Sequence, residues 1–282
     1  MTDVVSIVIA VVSLVGSLIA TGFTGWITYY VDEVKRRADA KKLVMKYRDP
    51  LLLAALDLQS RIWNLVQQNL LRFHANEDKR DLIYVYTAFL VGQFLSWTYI
   101  LRREAQFLRF STQKNNRELA RNLEALMETF STDTRPGEEP FMLWRGQQMA
   151  IGEVMTVGDG GQLYCMGYST FSHKYKNEPD FHRWFIPIEK SIGWLVDAHQ
   201  RRNRSATHRL RRLQHLLIDL IRILDEEGVG EGKGKRGYVT AAPACECNGC
   251  SRVTPVSPSE KDDGPRTGAP KSGNHAPQTL PA

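Results

Sequence analysis

Three thiols set close together, a dense run of arginines and a polar patch on an apolar helix are the groupings in this sequence that could do chemistry. Cys245-x-Cys247-x-x-Cys250 brings three soft sulfurs within reach of one ion, and thiolates at such spacing bind zinc or copper. A closed structural zinc site takes four ligands. No fourth partner is evident nearby, and His275 is distant along the chain. Acylation of the thiols would instead tether this segment to a membrane. Free, reduced thiols are the simplest expectation for a chain with four cysteines and no disulfide framework. No metal and no cofactor are therefore expected.

The second grouping is Arg201, Arg202, Arg204, Arg209, Arg211 and Arg212. Such a run is most often a solvated face that pairs with acidic residues of neighbouring helices. Its functional reading is contact with anionic lipid headgroups. Nucleic acid is not expected, because no aromatic residues interleave with the arginines to stack on bases.

The third grouping lies in Arg145-Gly-Gln-Gln-x-Ala-Ile-Gly-Glu153. Gln148 shares a helical stripe with Trp144 and Ile151, so it is expected to be partly buried and to need hydrogen-bond partners. It reads first as an internal hub. A polar pocket lined by Arg145, Gln148 and Glu153 is the enzymatic alternative. The seven histidines form no HExxH, no HxH and no repeated Glu-x-x-His pair. There is no P-loop, no dinucleotide fingerprint after a strand and no Gly-x-Ser-x-Gly elbow. Gly158-Asp-Gly-Gly161 is expected to end a helix as a turn.

The elements that must carry these residues are helices. Val4 to Tyr30 holds no charge, is rich in Val, Ile and Leu, and is long enough to cross about 30 Å of hydrocarbon. Trp26, Tyr29 and Tyr30 gather at its far end, and Lys35, Arg36, Arg37, Lys41 and Lys42 follow, whereas only Asp3 precedes it. That asymmetry predicts a membrane protein of a single pass, with its N-terminus outside and the remainder cytoplasmic. A signal peptide fits less well, since the run lacks a basic start and is too long. Rows of small residues, Ser13, Ser17, Thr21 and Gly16, Ala20, Thr24, would let a second copy pack closely against the span.

Residues 31–49 continue as a charged juxtamembrane helix that Asp49-Pro50 is expected to stop. Residues 50–227 read as a helical bundle. Its first helix is Leu51 to Phe73, with Leu52, Leu56, Trp63, Val66 and Leu70 on one face. Leu82 to Leu101 is uncharged over the length of a span. Its scattered Gln, Ser, Thr and Tyr favour a helix buried inside the bundle. Asn115 to Phe130 and Phe141 to Met155 are further amphipathic helices. Pro179 opens a helix expected to kink at Pro187. Leu210, Leu213, Leu217, Leu220 and Leu224 line a docking seam on the last one, about Ser205 to Glu227. No strong strand signal appears. Residues 228–282 are poor in apolar side chains and are expected to be disordered.

The segments Tyr47-Arg-Asp-Pro-Leu-Leu52, Asp57-Leu-Gln-Ser-Arg61, Leu101-Arg-Arg-Glu-x-Gln-Phe107, Arg145-Gly-x-Gln-x-Ala-Ile-Gly-Glu153, Arg183-Trp-Phe185 and Leu213-Gln-x-x-Leu-Ile-Asp-Leu-Ile221 occur in that order. Together they resemble a widespread family of uncharacterised, mostly bacterial helical proteins. The resemblance implies one integrated helical domain that includes Leu82 to Leu101, and it implies no activity, cofactor or site residue.

The net charge is +6, with 43% hydrophobic and 24% charged residues, as for a globular, mildly basic protein near anionic lipid. The expectation is an all-α chain: a transmembrane helix, a cytoplasmic helical bundle and a disordered tail. Its expected function is a membrane-anchored scaffold, adaptor or sensor-like interaction module. Expected partners are membrane lipids, a protein in the membrane plane, and a second copy of the chain.

Overall fold

The computed structural model describes residues 2–104, 114–134, 138–201, 203, 205–225, 237–243, 245 and 247–251. Helix α1 spans Thr2–Val66 as one element of 65 residues with Pro50 inside it. The expected stop at Asp49-Pro50 does not occur. A proline in a helix interior forfeits one hydrogen bond and crowds the carbonyl four residues back, at about 3 kcal/mol or more. Here the flanks are buried on both sides of it: Tyr47, Leu51, Leu52, Ala54 and Ala55 all pack into the core. Burial of two or three such side chains offsets a cost of that size.

After Val66 the chain turns through Asn69, in a left-handed conformation, and a 3-10 turn over Leu70–Ala75. The helix expected to reach Phe73 therefore ends seven residues, about two turns, early. Helix α2, Glu77–Glu104, follows. It lies inside the bundle, with Ile83, Val85, Ala88, Leu90, Val91, Phe94, Leu95, Ile100 and Leu101 all buried. The uncharged stretch Leu82 to Leu101 is thus a core helix. Thr98 Oγ1 donates to Phe94 O at 2.9 Å and Ser96 Oγ meets Thr156 Oγ1 at 2.9 Å, whereas Thr87 Oγ1 is buried without a hydrogen-bond partner.

Helix α3, Lys114–Ser131, buries Leu119, Leu123, Leu126, Met127 and Phe130 on one stripe, as its spacing predicts. Helix α4 begins only at Arg145 and ends at Val154. The expected start at Phe141 fails because that residue sits at φ 61, with its N–H held by Ser191 Oγ at 2.7 Å. Gly152 lets α4 lie directly on α2: a Cβ there would stand 2.9 Å from Leu95 O and 2.8 Å from Tyr99 Cβ.

Strands β1, Thr156–Asp159, and β2, Gln162–Cys165, form an antiparallel hairpin. Gly160 and Gly161 both take positive φ, which is what a two-residue turn between right-twisted strands needs. The turn expected to end a helix at Gly158-Asp-Gly-Gly161 is therefore the bend of a hairpin. Its glycine pair is the signal, and its strands are too short to show an alternating pattern.

Helices α5, Tyr168–Asn177, and α6, Pro179–His182, are followed by α7, Ile186–Gln200. Pro187 falls in the first turn of α7, where its missing N–H costs nothing, so the expected kink is a helix start. A ring cluster joins these pieces to α2. Phe171 stands 5.4 Å from Phe89, 5.7 Å from Phe181 and 5.1 Å from Phe185.

A 3-10 turn, Ser205–Thr207, leads into helix α8, His208–Leu224. Its leucine seam docks as expected: Leu210, Leu213, Leu217, Leu220 and Leu224 are all buried, and α8 packs against both α1 and α3. Arg48 of α1 donates to the carbonyl of Leu224, capping the end of α8.

The disordered tail expected from residue 228 falls largely outside the described residues, as 226–236 and 252–282 do. Residues 237–251, where described, lie on α8 and end in a single turn, α9, Asn248–Ser251. The chain is thus mostly helical, as expected, with one short hairpin added.

The contact at Gly152 yields a test. Gly152→Ala should destabilise the bundle by about 1–3 kcal/mol, because the obstructing atoms include backbone that cannot move aside. A drop in the urea midpoint of unfolding would show it, and an unchanged midpoint would mean α2 and α4 are not in this contact.

Candidate metal centre

Helix α8 carries a second stripe beside its leucine seam. His208, Arg212, His215, Asp219 and Arg222 recur three or four residues apart, and so share one face. The segment 237–251 lies along that face as a strap and is bound to it by polar side chains. Gln214 donates to Gly237 O at 3.0 Å and accepts from Val239 N–H at 3.2 Å. Arg211 and Arg212 donate to the carbonyls of Thr240 and Pro243, at 3.1 and 3.0 Å. Asp219 accepts from the N–H of Asn248 at 2.7 Å.

In the C-terminal half of the strap, three sulfurs converge on one nitrogen. Nδ1 of His215 lies 3.5 Å from Cys245 Sγ, 3.4 Å from Cys247 Sγ and 3.4 Å from Cys250 Sγ. All four atoms lie within 4.8 Å of one another. A neutral ring nitrogen has one lone pair or one proton, so it cannot hydrogen-bond to three sulfurs at once. The arrangement is instead that of four ligands around a common point. For a tetrahedral ion with metal–sulfur bonds of about 2.3 Å and a metal–nitrogen bond of about 2.0–2.1 Å, the S···N edge is about 3.5 Å.

The surroundings orient these ligands. His215 Nε2 is 2.8 Å from Val239 O. A carbonyl only accepts, so that nitrogen carries the proton and Nδ1 presents its lone pair to the sulfurs. The ring of Tyr238 packs edge-on at 4.8 Å. The N–H of Cys250 donates to Cys247 Sγ at 3.2 Å. His215 and Cys247 are buried.

Charge in the cluster is unevenly held. The Cys247 thiol is lowered to about 3, first by the hydrogen bond from Cys245, with His215 and the Cys250 N–H adding to it against the cost of burial. Cys245 is pushed up, first by that same shared hydrogen bond and then by burial. Cys250 is raised by burial and by the neighbouring Cys247 thiolate. Burial works to lower His215, but its contacts with Cys247 and Val239 raise it overall. A bound cation would deprotonate its coordinating thiols outright.

Sequence spacing brought the three cysteines together and missed the fourth ligand, because His215 lies on a helix some thirty residues away. Its signal is legible afterwards: a histidine on the polar stripe of a strongly amphipathic helix, some thirty residues upstream of three closely spaced cysteines.

The other groupings have different fates. Arg209, 1% exposed, is not lipid-facing. It donates to the carbonyls of Phe130 at 3.2 Å, Thr132 at 2.7 Å and Glu138 at 2.9 Å, and also to Thr129. These include the carbonyls that α3 leaves open at its C-terminus, so a guanidinium caps that helix from within the core. Arg212 is buried too, in an ion pair with Glu138, which also lies 3.5 Å from His208 Nδ1. Arg211 is half-buried, and its Nε donates to Thr207 Oγ1 at 2.9 Å. Arg201 is exposed, and Arg202 and Arg204 lie outside the described residues.

Arg145, Gln148 and Glu153 have three separate surroundings. Arg145 pairs with Glu124 at 2.6 Å, and Arg102 meets the other oxygen of Glu124 at 2.9 Å, which ties α2, α3 and α4 together. Gln148 is buried and donates to Met127 O and Leu143 O at 2.9 and 2.7 Å. Glu153 is exposed. The Oε1 of Gln148 is buried without a hydrogen-bond partner.

No family model, no curated protein and no solved structure matches the chain. The functional reading therefore rests on its own residues.

Two outcomes follow. Arg209→Met removes the cap of α3 while keeping an apolar stem, and it should cost about 3–5 kcal/mol in a denaturation midpoint, since several buried carbonyls lose their donor. Binding to anionic vesicles should not change; loss of vesicle binding with unchanged stability would return Arg209 to the surface. Cys165, outside the cluster, has its thiol pushed up to about 11 by burial. At pH 8 iodoacetamide should modify it about a hundredfold more slowly than an ordinary thiol, because the thiolate is the nucleophile. Mass spectrometry of timed samples reads this, and an ordinary rate would show the site to be open.

Proposed function

We propose that this protein is a single-pass membrane-anchored helical module that acts by binding partners beside the membrane rather than by catalysis. The observation that carries the reading is the unpacked state of the first half of α1. Ile7–Lys35, 29 residues, is long and apolar enough to cross a bilayer, and none of its apolar window is buried against the rest of the chain. An apolar cylinder exposed on every side has no stable place in water.

Its few hydroxyls support the same reading. Thr21, Thr24 and Thr28 each donate to the carbonyl one turn back, and Ser17 does so to Leu14, all at 2.8 Å. Such back-bonding satisfies these four hydroxyl donors within the helix itself, as hydrocarbon requires. The basic residues after Tyr30 favour an orientation with the bundle in the cytoplasm.

The same helix then becomes core. Past Lys46 its residues pack against α2 and α8, so no loop separates the span from the bundle. A tilt or rotation imposed in the membrane plane would be carried into the domain, which suits a scaffold or sensor-like module. The separate surroundings of Arg145, Gln148 and Glu153 give the enzymatic alternative no assembled constellation.

The full chain should stay with membranes through washes in high salt and alkaline carbonate, and deletion of residues 2–31 should release it. In sealed vesicles of known sidedness, an epitope on the C-terminus should resist protease unless the cytoplasmic face is outward. Release of the full chain by carbonate would defeat the anchor, and digestion from the other side would reverse the orientation.

A further inference from the structure

We propose that His215 Nδ1 and the sulfurs of Cys245, Cys247 and Cys250 hold one structural zinc ion, and that this ion fastens the strap 237–251 to helix α8. The inference is independent of the membrane reading, since it concerns only the bundle and its strap.

Three observations carry it. The S···N separations of 3.4–3.5 Å agree with the edges of a tetrahedral site. The lone pair of Nδ1 is aimed at the sulfurs because Nε2–H is committed to Val239 O. The ligands arrive on two unrelated segments, and the contacts around them on both segments are made: Asp219 holds the N–H of Asn248, and Cys250 N–H holds Cys247 Sγ. A chance meeting of three thiols would not bring a histidine with a fixed tautomer.

The donor set chooses the ion. Three thiolates and an imidazole are too soft for magnesium or calcium. Four protein ligands complete a tetrahedron and leave no position for water or substrate, which is the pattern of structural rather than catalytic zinc. Binding moves no electrons. The thiols give up their protons to solvent, and three thiolates, a neutral imidazole and a dication leave one net negative charge. The N–H donated to Cys247 Sγ spreads part of that charge. Arg222, bonded to Tyr238 and 3.9 Å from Asp219, adds a positive group alongside.

The test uses the full chain in detergent micelles, purified without chelator. Elemental analysis should find about one zinc per chain. Cys247→Ser should lose it, while Cys165→Ser and His275→Ala should keep it. Replacement by cobalt(II) should give the visible ligand-field bands of a tetrahedral site together with thiolate-to-cobalt charge transfer. Chelation of the wild-type protein should speed hydrogen exchange of peptides covering 237–251, leave α2 and α3 protected, and reverse on adding zinc; this measurement needs no variant to fold. Zinc no higher in the wild type than in Cys247→Ser, octahedral cobalt spectra, or strap exchange that ignores chelation would each overturn the proposal. Stoichiometric copper in place of zinc would overturn the identity of the ion.

Discussion

Helix α8 is buried from Arg209 to Ile221 with only Arg211 half-exposed, and its charged and polar side chains go into the interior with it. A buried polar group without a partner costs roughly 1–3 kcal/mol, and a charge costs more, so a helix of this composition can sit at the centre only if every such group is met. That requirement organises what surrounds it. Arg209 is met by the open carbonyls of α3, Arg212 by Glu138, and Gln214, His215 and Asp219 by the backbone of the strap. The leucine seam on the other side fixes α1 and α3. Helix α8 is therefore where the bundle and its C-terminal segment become one structure.

Helix α1 solves a different problem with the same economy. Its first half is apolar on all sides, and its second half is apolar on the side that meets α2 and α8. Pro50 lies within the buried part rather than at the boundary. A proline at an exposed position would have ended the helix, because nothing would offset the lost hydrogen bond. Here the buried contacts of Tyr47, Leu51, Ala54 and Ala55 offset that loss, and one helix runs from the apolar first half into the core.

What the sequence discloses follows from the range of the forces involved. Local periodicity is legible, so α2, α3 and the leucine seam of α8 are placed well by spacing alone. Pro179 is placed well too, because a proline at the first helical position depends on its own ring. Pro50 and Pro187 are not legible this way, since whether a proline breaks, kinks or starts a helix depends on what its neighbours bury. The hairpin at 156–165 was hidden by strands of four residues, though its two glycines announce the turn. The arginine run misled because charge is usually a surface property, and nothing within the run reveals that α3 leaves open carbonyls for Arg209 to cap.

The metal cage was half legible for the same reason. Short spacing gathers Cys245, Cys247 and Cys250, but the fourth ligand comes from an element whose position is set by leucines on its opposite face. The strap itself is the strongest physical argument that something further holds it. Fixing each of its residues costs about 1–2 kcal/mol of backbone entropy, and each hydrogen bond to α8 returns about 1 kcal/mol. Val239, Ala242 and Cys247 of the strap are buried, and Tyr238, Cys245 and Cys250 are partly so. Structural zinc in a small thiolate site contributes on the order of 10–16 kcal/mol at neutral pH. A cation at the point where three sulfurs meet the His215 lone pair is an interaction of the size that an ordered strap on α8 requires.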